Sequence, residues 1–117
     1  MHIHESKQGD TLVLALQGHL DADSAWTLEK RLDDAIKRGD LQIVLDCAAL
    51  EYINSSGLKA ILAAHNQLGE RGGRLAVAGS IRSVAAVFEM VGFDRILHLF
   101  PDLSQAMPNL EADGTKA

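Results

Sequence analysis

Two adjacent hydroxyl side chains, those of Ser55 and Ser56, are the strongest candidates for chemistry in this 117-residue sequence. They follow an apolar run that predicts a buried strand, and they precede a helical apolar pattern that begins at Leu58. A group placed between a parallel strand and the next helix lies at the carboxyl edge of the sheet, where open α/β folds usually carry their functional residues. Three roles compete for the serines: a nucleophile, a helix cap and an acceptor of phosphate.

The sequence around the serines gives little support to a nucleophile. Ile53 stands where the Gly-x-Ser-x-Gly motif requires its first glycine. Ser56 and Lys59 do match the short Ser-x-x-Lys motif, but the lysine and serine motifs that accompany it in enzymes are absent from the sequence. We therefore expect a protein that is not an enzyme, and an enzyme that uses Ser56 and Lys59 remains a third hypothesis.

A phosphate acceptor and a helix cap fit the same residues better. Asn and Ser are preferred N-cap residues, and replacing one with alanine costs about 1 kcal/mol. Capping alone does not explain two adjacent serines before Gly57. A phosphoryl group adds roughly −1.5 to −2 charges, which the dipole and the free N–H groups of a helix N-terminus accommodate without unfolding the domain. The pattern favours a binding switch, because the burial of such an anion under a partner is costly.

The other polar clusters predict neither a metal site nor a nucleotide site. Of the five histidines, only His2 and His4 are close enough in sequence to share one face of a strand. No Cys-x-x-Cys or His-Glu-x-x-His spacing occurs, so no metal and no cofactor is expected. Gly69, Gly72 and Gly73 follow a predicted helix and lack the Lys-Ser/Thr pair of a phosphate loop, which indicates a helix-to-strand turn.

Composition and charge limit the remaining functions. The length allows one domain, and 47% hydrophobic and 23% charged residues are average for a soluble globular protein. The net charge of −5 argues against nucleic-acid binding, which needs a basic face. No apolar run approaches the roughly 20 residues of a membrane span. The single cysteine, Cys47, and a start without the pattern of a signal peptide predict a cytoplasmic location.

The apolar periodicity predicts the elements that must position the serines. Short apolar runs predict five strands: Ile3–Lys7, Thr11–Gly18, Leu41–Asp46, Arg74–Ala78 and Ile96–Phe100. Helical spacing predicts four helices: one from caps at Asp21–Ser24 to Gly39, one over Leu58–Leu68, one from caps at Gly79–Ser80 through Val91 to Gly92, and a short one over Pro101–Met107 that Pro108 ends. The order ββαβαβαβα predicts an α/β fold with a mixed sheet of about five strands, in which an antiparallel hairpin precedes parallel strands.

Three segments resemble the STAS domain family, and in particular its small single-domain anti-sigma factor antagonists. The segment from Asp46 to Leu58 resembles the family signature, a strand end followed by Asp-Ser-Ser-Gly-Leu and a helix. Gly18–Asp21 resembles the Gly-Glu-Leu-Asp that opens the first helix, and Val91–Phe93 with Ile96 resembles the segment after the third helix. The resemblance covers about residues 5–108. It implies a STAS domain over residues 1–110, and we expect a disordered tail over residues 111–117.

The resemblance implies a regulator in a partner-switching pathway. Ser56 would be phosphorylated by a serine kinase of the GHKL type that doubles as the anti-sigma factor, with Ser55 as the secondary candidate. A metal-dependent serine phosphatase would reverse the reaction. The unphosphorylated form would bind the kinase and release its sigma factor. ATP and magnesium belong to the kinase, and this chain would be a monomer or a weak dimer.

The resemblance also names a set of partner-binding residues and two departures. The expected binding residues are Asp21, Asn54, Ser55, Ser56, Gly57 and Leu58. Asn54 replaces the usual aspartate of the signature, and His19 replaces the usual glutamate before the first helix. The alternative hypothesis is a STAS interaction module that is not phosphorylated, such as a stressosome scaffold or an accessory subunit of a lipid-transport ATPase.

Overall fold

The chain opens with a β-hairpin. In the computed structural model, which describes residues 1–107, strand β1 (His2–Gln8) pairs antiparallel with strand β2 (Thr11–Leu20). The two-residue turn between them has Gly9 at φ 61°. Glycine with a positive φ at the first central position is typical of a type II′ hairpin turn, whose twist matches that of the strands. The predicted hairpin is confirmed, and both strands are longer than predicted.

Three βα units complete a five-stranded sheet in the order β1-β2-β3-β4-β5. The remaining elements are α1 (Ala22–Lys37), β3 (Gln42–Ile53), α2 (Ser55–Glu70), β4 (Arg74–Ala78), α3 (Arg82–Met90), a 3-10 helix (Phe93–Arg95) and β5 (His98–Phe100). Strands β2 to β5 pair in parallel. Residues 103–107 are helical, whereas the predicted stop at Pro108 and the predicted tail at 111–117 lie outside the described residues. The mixed α/β sheet predicted from the sequence is confirmed.

Helices α1, α2 and α3 cover one face of the sheet. Right-handed crossovers between strands that follow one another in the sheet place every helix on the same side. Ile43 and Leu45 of β3 accordingly pack with these helices in the main core, whereas Val44 between them packs on the opposite face with Ala76 and Ala106. The helical segment 103–107 covers part of that second face. No helix within residues 1–107 has both the length and the apolar character needed to cross a bilayer.

Strand β3 continues to Ile53, past its predicted end at Asp46. Strand β4 pairs with β3 only as far as Asp46 and Ala78, whereas β2 pairs with β3 as far as Leu20 and Ile53. Beyond Asp46, β3 therefore lacks a neighbour on the β4 side. Its side chains no longer form the continuous apolar run of a strand covered on both faces, so the sequence pattern did not reveal this part of β3.

The start of α3 differs from the prediction. Its N-cap residue is Ile81, which makes no side-chain capping hydrogen bond, so the predicted caps at Gly79 and Ser80 are wrong. Gly79 instead adopts φ 73° in the turn that leaves β4. Val91 lies outside α3 and is 47% exposed rather than part of its buried face.

A buried carboxylate links the hairpin to the end of α1. The side chain of Asp40, which is 5% exposed, accepts hydrogen bonds from Lys7 Nζ at 2.8 Å and from Arg38 Nε at 2.6 Å. Arg38 also contacts Glu5 of β1, with Nη2 to Oε2 at 2.8 Å. Burial alone would raise the pKa of Asp40, but the two cationic donors outweigh burial and lower the pKa from its usual 3.8. The charged form of Asp40 therefore stabilises the fold.

We predict that Asp40→Asn lowers the free energy of unfolding at pH 7 by about 1.5 kcal/mol, because charge-assisted hydrogen bonds are lost while the freed cations remain hydrated. Since the folded pKa is lowered, the contribution is complete above the unfolded pKa, about 4, and is lost as the pH falls through the folded value. The difference from wild type should therefore shrink below pH 4 in urea titrations. Asp34→Asn, at an exposed position of α1, is the control. A pH-independent difference would contradict the account.

Candidate functional site

Two helix N-termini begin side by side at the carboxyl edge of the sheet. Leu20 and Ile53, the last residues of β2 and β3, are register partners. The backbone N–H of Asn54 donates to the carbonyl of Leu20 at 3.1 Å, which ties the two strand ends together. Helix α1 follows β2 after Asp21, and helix α2 follows β3 after Asn54. The structure therefore brings together the two segments that the sequence singled out.

The carboxylate of Asp21 caps α1. Its Oδ1 accepts from the backbone N–H of Ser24 at 3.2 Å, and the Ser24 hydroxyl accepts from the Asp21 N–H at 2.8 Å, which completes a capping box. The Ser24 hydroxyl also donates to the carbonyl of His19 at 2.7 Å. The hydrogen bonds from the backbone and the hydroxyl of Ser24 lower the pKa of Asp21, so this half-buried carboxylate stays charged at neutral pH.

Asn54 caps α2 and places both serines inside its first turn. The Asn54 Oδ1 accepts from the N–H of Ser56 at 3.1 Å and from the N–H of Gly57 at 3.4 Å. Helix α2 thus begins at Ser55, earlier than the apolar pattern from Leu58 indicated. Ser55 is exposed and Ser56 is half-buried. Within residues 1–107, neither serine hydroxyl has a hydrogen-bond partner.

Gly57 lies directly on the two strand ends. A Cβ atom at this position would come within 2.6 Å and 2.8 Å of side-chain carbons of Leu20 and within 3.0 Å of Ile53. Such distances are far below van der Waals contact, so only glycine lets the first turn of α2 approach the sheet this closely. Leu58, the next residue, is half-buried and packs against the main core. Gly57 and Leu58 thus fix the height of Ser56 above the sheet.

Ser56 opens into a groove that the sequence interpretation missed. The groove, of about 460 Å³, lies between α1 and α2. It is lined by Ala22, Ala25, Trp26, Glu29, Ser56, Lys59, Ala60 and Ala63. The sequence did offer a signal for Trp26 as a surface residue of interest, because this large aromatic side chain lies directly beside the apolar stripe of α1 that begins at Ala25.

His19, the other departure from the family pattern, lies on an exposed cluster at the end of β2. Its Nε2 is 3.7 Å from Glu51 Oε2, and its ring meets that of Tyr52 edge-on with centroids 5.9 Å apart. Glu51 and Tyr52 belong to the part of β3 that extends beyond β4. His19 therefore has a local partner in Glu51, and its carbonyl rather than its ring takes part in the start of α1.

Cysteine and metal chemistry find little support in the described residues. Cys47 is fully buried, and burial together with the neighbouring Asp46 raises the pKa of its thiol to about 12. The thiolate that would react or bind a metal is therefore not formed at neutral pH. Within residues 1–107, no three histidine, cysteine or acidic side chains are grouped closely enough to hold a metal ion.

The fold and this edge define a class of small α/β domain. Its mixed sheet carries an opening hairpin, and an Asn-Ser-Ser-Gly turn starts one helix beside the capped start of another. A sequence profile of the STAS domain matches residues 3–106. The chain belongs to the STAS domain family.

Two relatives are similar over most of their length. BtrV of Bordetella bronchiseptica is 34% identical over 101 residues, which are 86% of this chain and 84% of BtrV. The anti-sigma F factor antagonist of Paenibacillus polymyxa is 30% identical over 101 residues, which are 86% of each protein.

Solved structures share the fold at lower identity. TM1081 of Thermotoga maritima superposes with a TM-score of 0.89 at 23% identity, over 93% of this chain and 94% of TM1081. The Bacillus protein SpoIIAA superposes with a TM-score of 0.74 in its unphosphorylated form, at 19% identity over 94% of this chain and 98% of SpoIIAA. Its phosphorylated form gives the same TM-score at 20% identity, over 92% of this chain and 98% of SpoIIAA.

We predict that Gly57→Ala lowers the free energy of unfolding by about 1–3 kcal/mol, because the added methyl group overpacks the contact with Leu20 and Ile53. Gly69→Ala is the matched control within α2. A Cβ at Gly69 meets nothing within 4 Å, so this variant should be more stable than wild type by up to about 1 kcal/mol. Urea denaturation measures both. Equal effects of the two substitutions would show that the close contact at Gly57 does not exist in solution.

Proposed function

We propose that this chain is an anti-sigma factor antagonist whose binding to its anti-sigma factor is switched by phosphorylation of Ser56. The observation that carries the proposal is the place of Ser56: a serine hydroxyl in the first turn of α2, opening into a surface groove beside the start of α1. The name of the Paenibacillus relative, an anti-sigma F factor antagonist, supports the same role.

The start of α2 suits a phosphoryl group. The phosphate would carry roughly −1.5 to −2 charges, and the positive end of the helix dipole favours an anion there. The Asn54 Oδ1 already accepts from the N–H groups of Ser56 and Gly57, so the helix dipole rather than these two N–H groups would stabilise the phosphate while the cap stays in place. Asn54 is also uncharged, so it does not repel the incoming phosphate as the usual aspartate would. Phosphorylation is therefore expected to change the surface and leave the fold intact.

SpoIIAA supplies a parallel for this expectation. That protein has been solved both with and without phosphate, and this chain superposes on the two forms equally well, with a TM-score of 0.74 for each. In SpoIIAA, the STAS fold therefore accommodates the modification. The parallel extends to this chain as part of the proposal, because the overall identity of 19–20% concerns the fold alone.

The switch follows from the change in charge at a surface that a partner must cover. Before phosphorylation, Ser55 and Ser56 present small neutral hydroxyls at this edge. Afterwards, a partner that covers the edge has to strip water from a dianion, and an unpaired buried charge costs several kcal/mol. A loss of about 2.7 kcal/mol already weakens binding about 100-fold.

The resemblance to the STAS antagonists supplies the partners of this proposal. The anti-sigma factor would be a serine kinase of the GHKL type, which supplies ATP and magnesium and transfers the γ-phosphoryl group to the Ser56 hydroxyl. A metal-dependent serine phosphatase would restore the neutral form. Since sigma factors act on transcription inside the cell, the complex would form in the cytoplasm.

We predict that Ser56 is the acceptor. The Ser56→Ala chain, which stays in the binding form, serves as bait in lysate. An ATPase that it retains is purified and incubated with ATP, magnesium and, in separate reactions, wild type, Ser55→Ala or Ser56→Ala. Wild type and Ser55→Ala should each gain one phosphoryl group by mass spectrometry, whereas Ser56→Ala should gain none. Phosphorylation of Ser56→Ala but not of Ser55→Ala would move the acceptor to Ser55.

An absence of phosphate on all three chains would contradict the switch. Retention of a ring-shaped assembly or of a transport ATPase would then favour the alternative, an interaction module that is not phosphorylated.

A further inference from the structure

Trp26 is the only tryptophan of the chain, and 64% of it is exposed. The buried stripe of α1 includes Ala25, Leu28 and Leu32, which face the core. Trp26 follows Ala25 by one residue, which rotates its side chain by about 100° around the helix axis, away from the stripe. The indole ring therefore stands on the surface without a role in the core.

The ring of Trp26 is a wall of the groove into which Ser56 opens. This groove, of about 460 Å³, is also lined by Ser56 and Lys59. A second depression, of about 290 Å³, is lined by Trp26 together with Glu29, Lys30, Asp33 and Gln67. The ammonium group of Lys30 is 5.8 Å from the ring centroid, a cation–π contact that favours this ring position. Trp26 and Glu29 thus line two depressions between α1 and α2.

A kinase that phosphorylates Ser56 would also cover Trp26. A kinase that modifies Ser56 has to bring the γ-phosphate of ATP to the serine hydroxyl, so its surface must close over the groove. A stable interface buries about 800 Å² on each partner, which corresponds to a disc of roughly 16 Å radius. Because Trp26 and Ser56 line the same groove, Trp26 lies within that disc.

We propose that Trp26 anchors the kinase on this chain, and that the kinase inserts an aliphatic side chain into the groove between Trp26 and α2. The inference rests on the proposed function. The methyl groups of Ala22, Ala25, Ala60 and Ala63 give the groove a small apolar lining that suits such a side chain. Glu29 and Lys59 on the rim call for a basic and an acidic residue of the kinase opposite them. Tryptophan in a well-packed pocket is also the residue type most enriched among those that dominate binding energy.

This arrangement connects the anchor to the switch. A phosphoryl group on Ser56 would stand in the lining of the groove that the aliphatic side chain of the kinase enters. The inserted apolar group would then remove water from a dianion that has only one cation, Lys59, among the residues lining the groove, which opposes binding. Trp26 and Ser56 would therefore act on one contact rather than on two separate parts of the interface.

Met90 provides the matched control. It is the most exposed of the large hydrophobic residues described, at 82%. It ends α3, which starts at the carboxyl edge after β4 and returns to the amino edge of the sheet. Met90 therefore shares the exposed apolar character of Trp26 and lies at the opposite edge from Ser56.

The test compares Trp26→Ala, Trp26→Phe and Met90→Ala against the kinase obtained with the Ser56→Ala bait. Affinity is measured by titration calorimetry, and phosphorylation of Ser56 is followed by mass spectrometry. Trp26→Ala should weaken binding tenfold or more and raise KM for phosphorylation with little change in kcat. Trp26→Phe should retain most of the affinity, and Met90→Ala should match wild type. Circular dichroism checks that each variant is folded, which the exposed positions favour.

Two results would overturn the inference, and they are distinguishable. If Trp26→Ala binds within twofold of wild type while Ser56 is phosphorylated normally, Trp26 is not the anchor and the proposed function stands. If wild type itself receives no phosphate on Ser56, the proposed function fails, and the inference fails with it.

Discussion

The close contact at Gly57 determines where the first turn of α2 lies on the carboxyl edge of the sheet. Without a Cβ, the first turn of α2 rests on Leu20 and Ile53, and a Cβ at this position would overlap side-chain carbons of Leu20 and crowd Ile53. The hydrogen bond from Asn54 to the carbonyl of Leu20 joins the same strand ends. Ser56 therefore sits on a rigid base formed by two neighbouring strands. A rigid base suits a switch, because a phosphoryl group there changes the charge that a partner contacts while the position of the contact surface stays the same.

The hydrogen bonds of this edge divide its residues into two groups. Asp21 and Asn54 are committed to capping α1 and α2, while Gly57 and Leu58 are committed to packing. These residues would contribute to recognition mainly by placing the helix starts. Under the proposed function, Ser55, Ser56 and the groove beside Trp26 would contact the partner. Ser55 and Ser56 are thus small neutral groups on a fixed frame, whose surface a single phosphate would alter strongly.

Local patterns predicted much of the fold. The hairpin, the three crossover helices and the serines at the carboxyl edge follow from apolar periodicity, turn residues and capping residues. The sequence could not show that β3 runs on to Ile53, because that part of the strand lacks a neighbour on one side and its pattern becomes irregular. The sequence could not show the groove either, because Trp26 and Ser56 line it together only when α1 packs against α2. The start of α3 at Arg82 was missed because its N-cap residue, Ile81, makes no side-chain capping hydrogen bond.

The central claim is that one phosphoryl group on Ser56 strongly weakens binding without changing the fold. The most direct measurement uses a chain in which phosphoserine is incorporated at position 56 during translation, so that every molecule carries the phosphate. Its affinity for the anti-sigma factor is compared with that of the unmodified chain, and amide NMR spectra of both report on the fold. The account predicts about 100-fold weaker binding or more, with spectral changes confined to the starts of α1 and α2. Equal affinities, or a phosphorylated chain that has lost its fold, would contradict it.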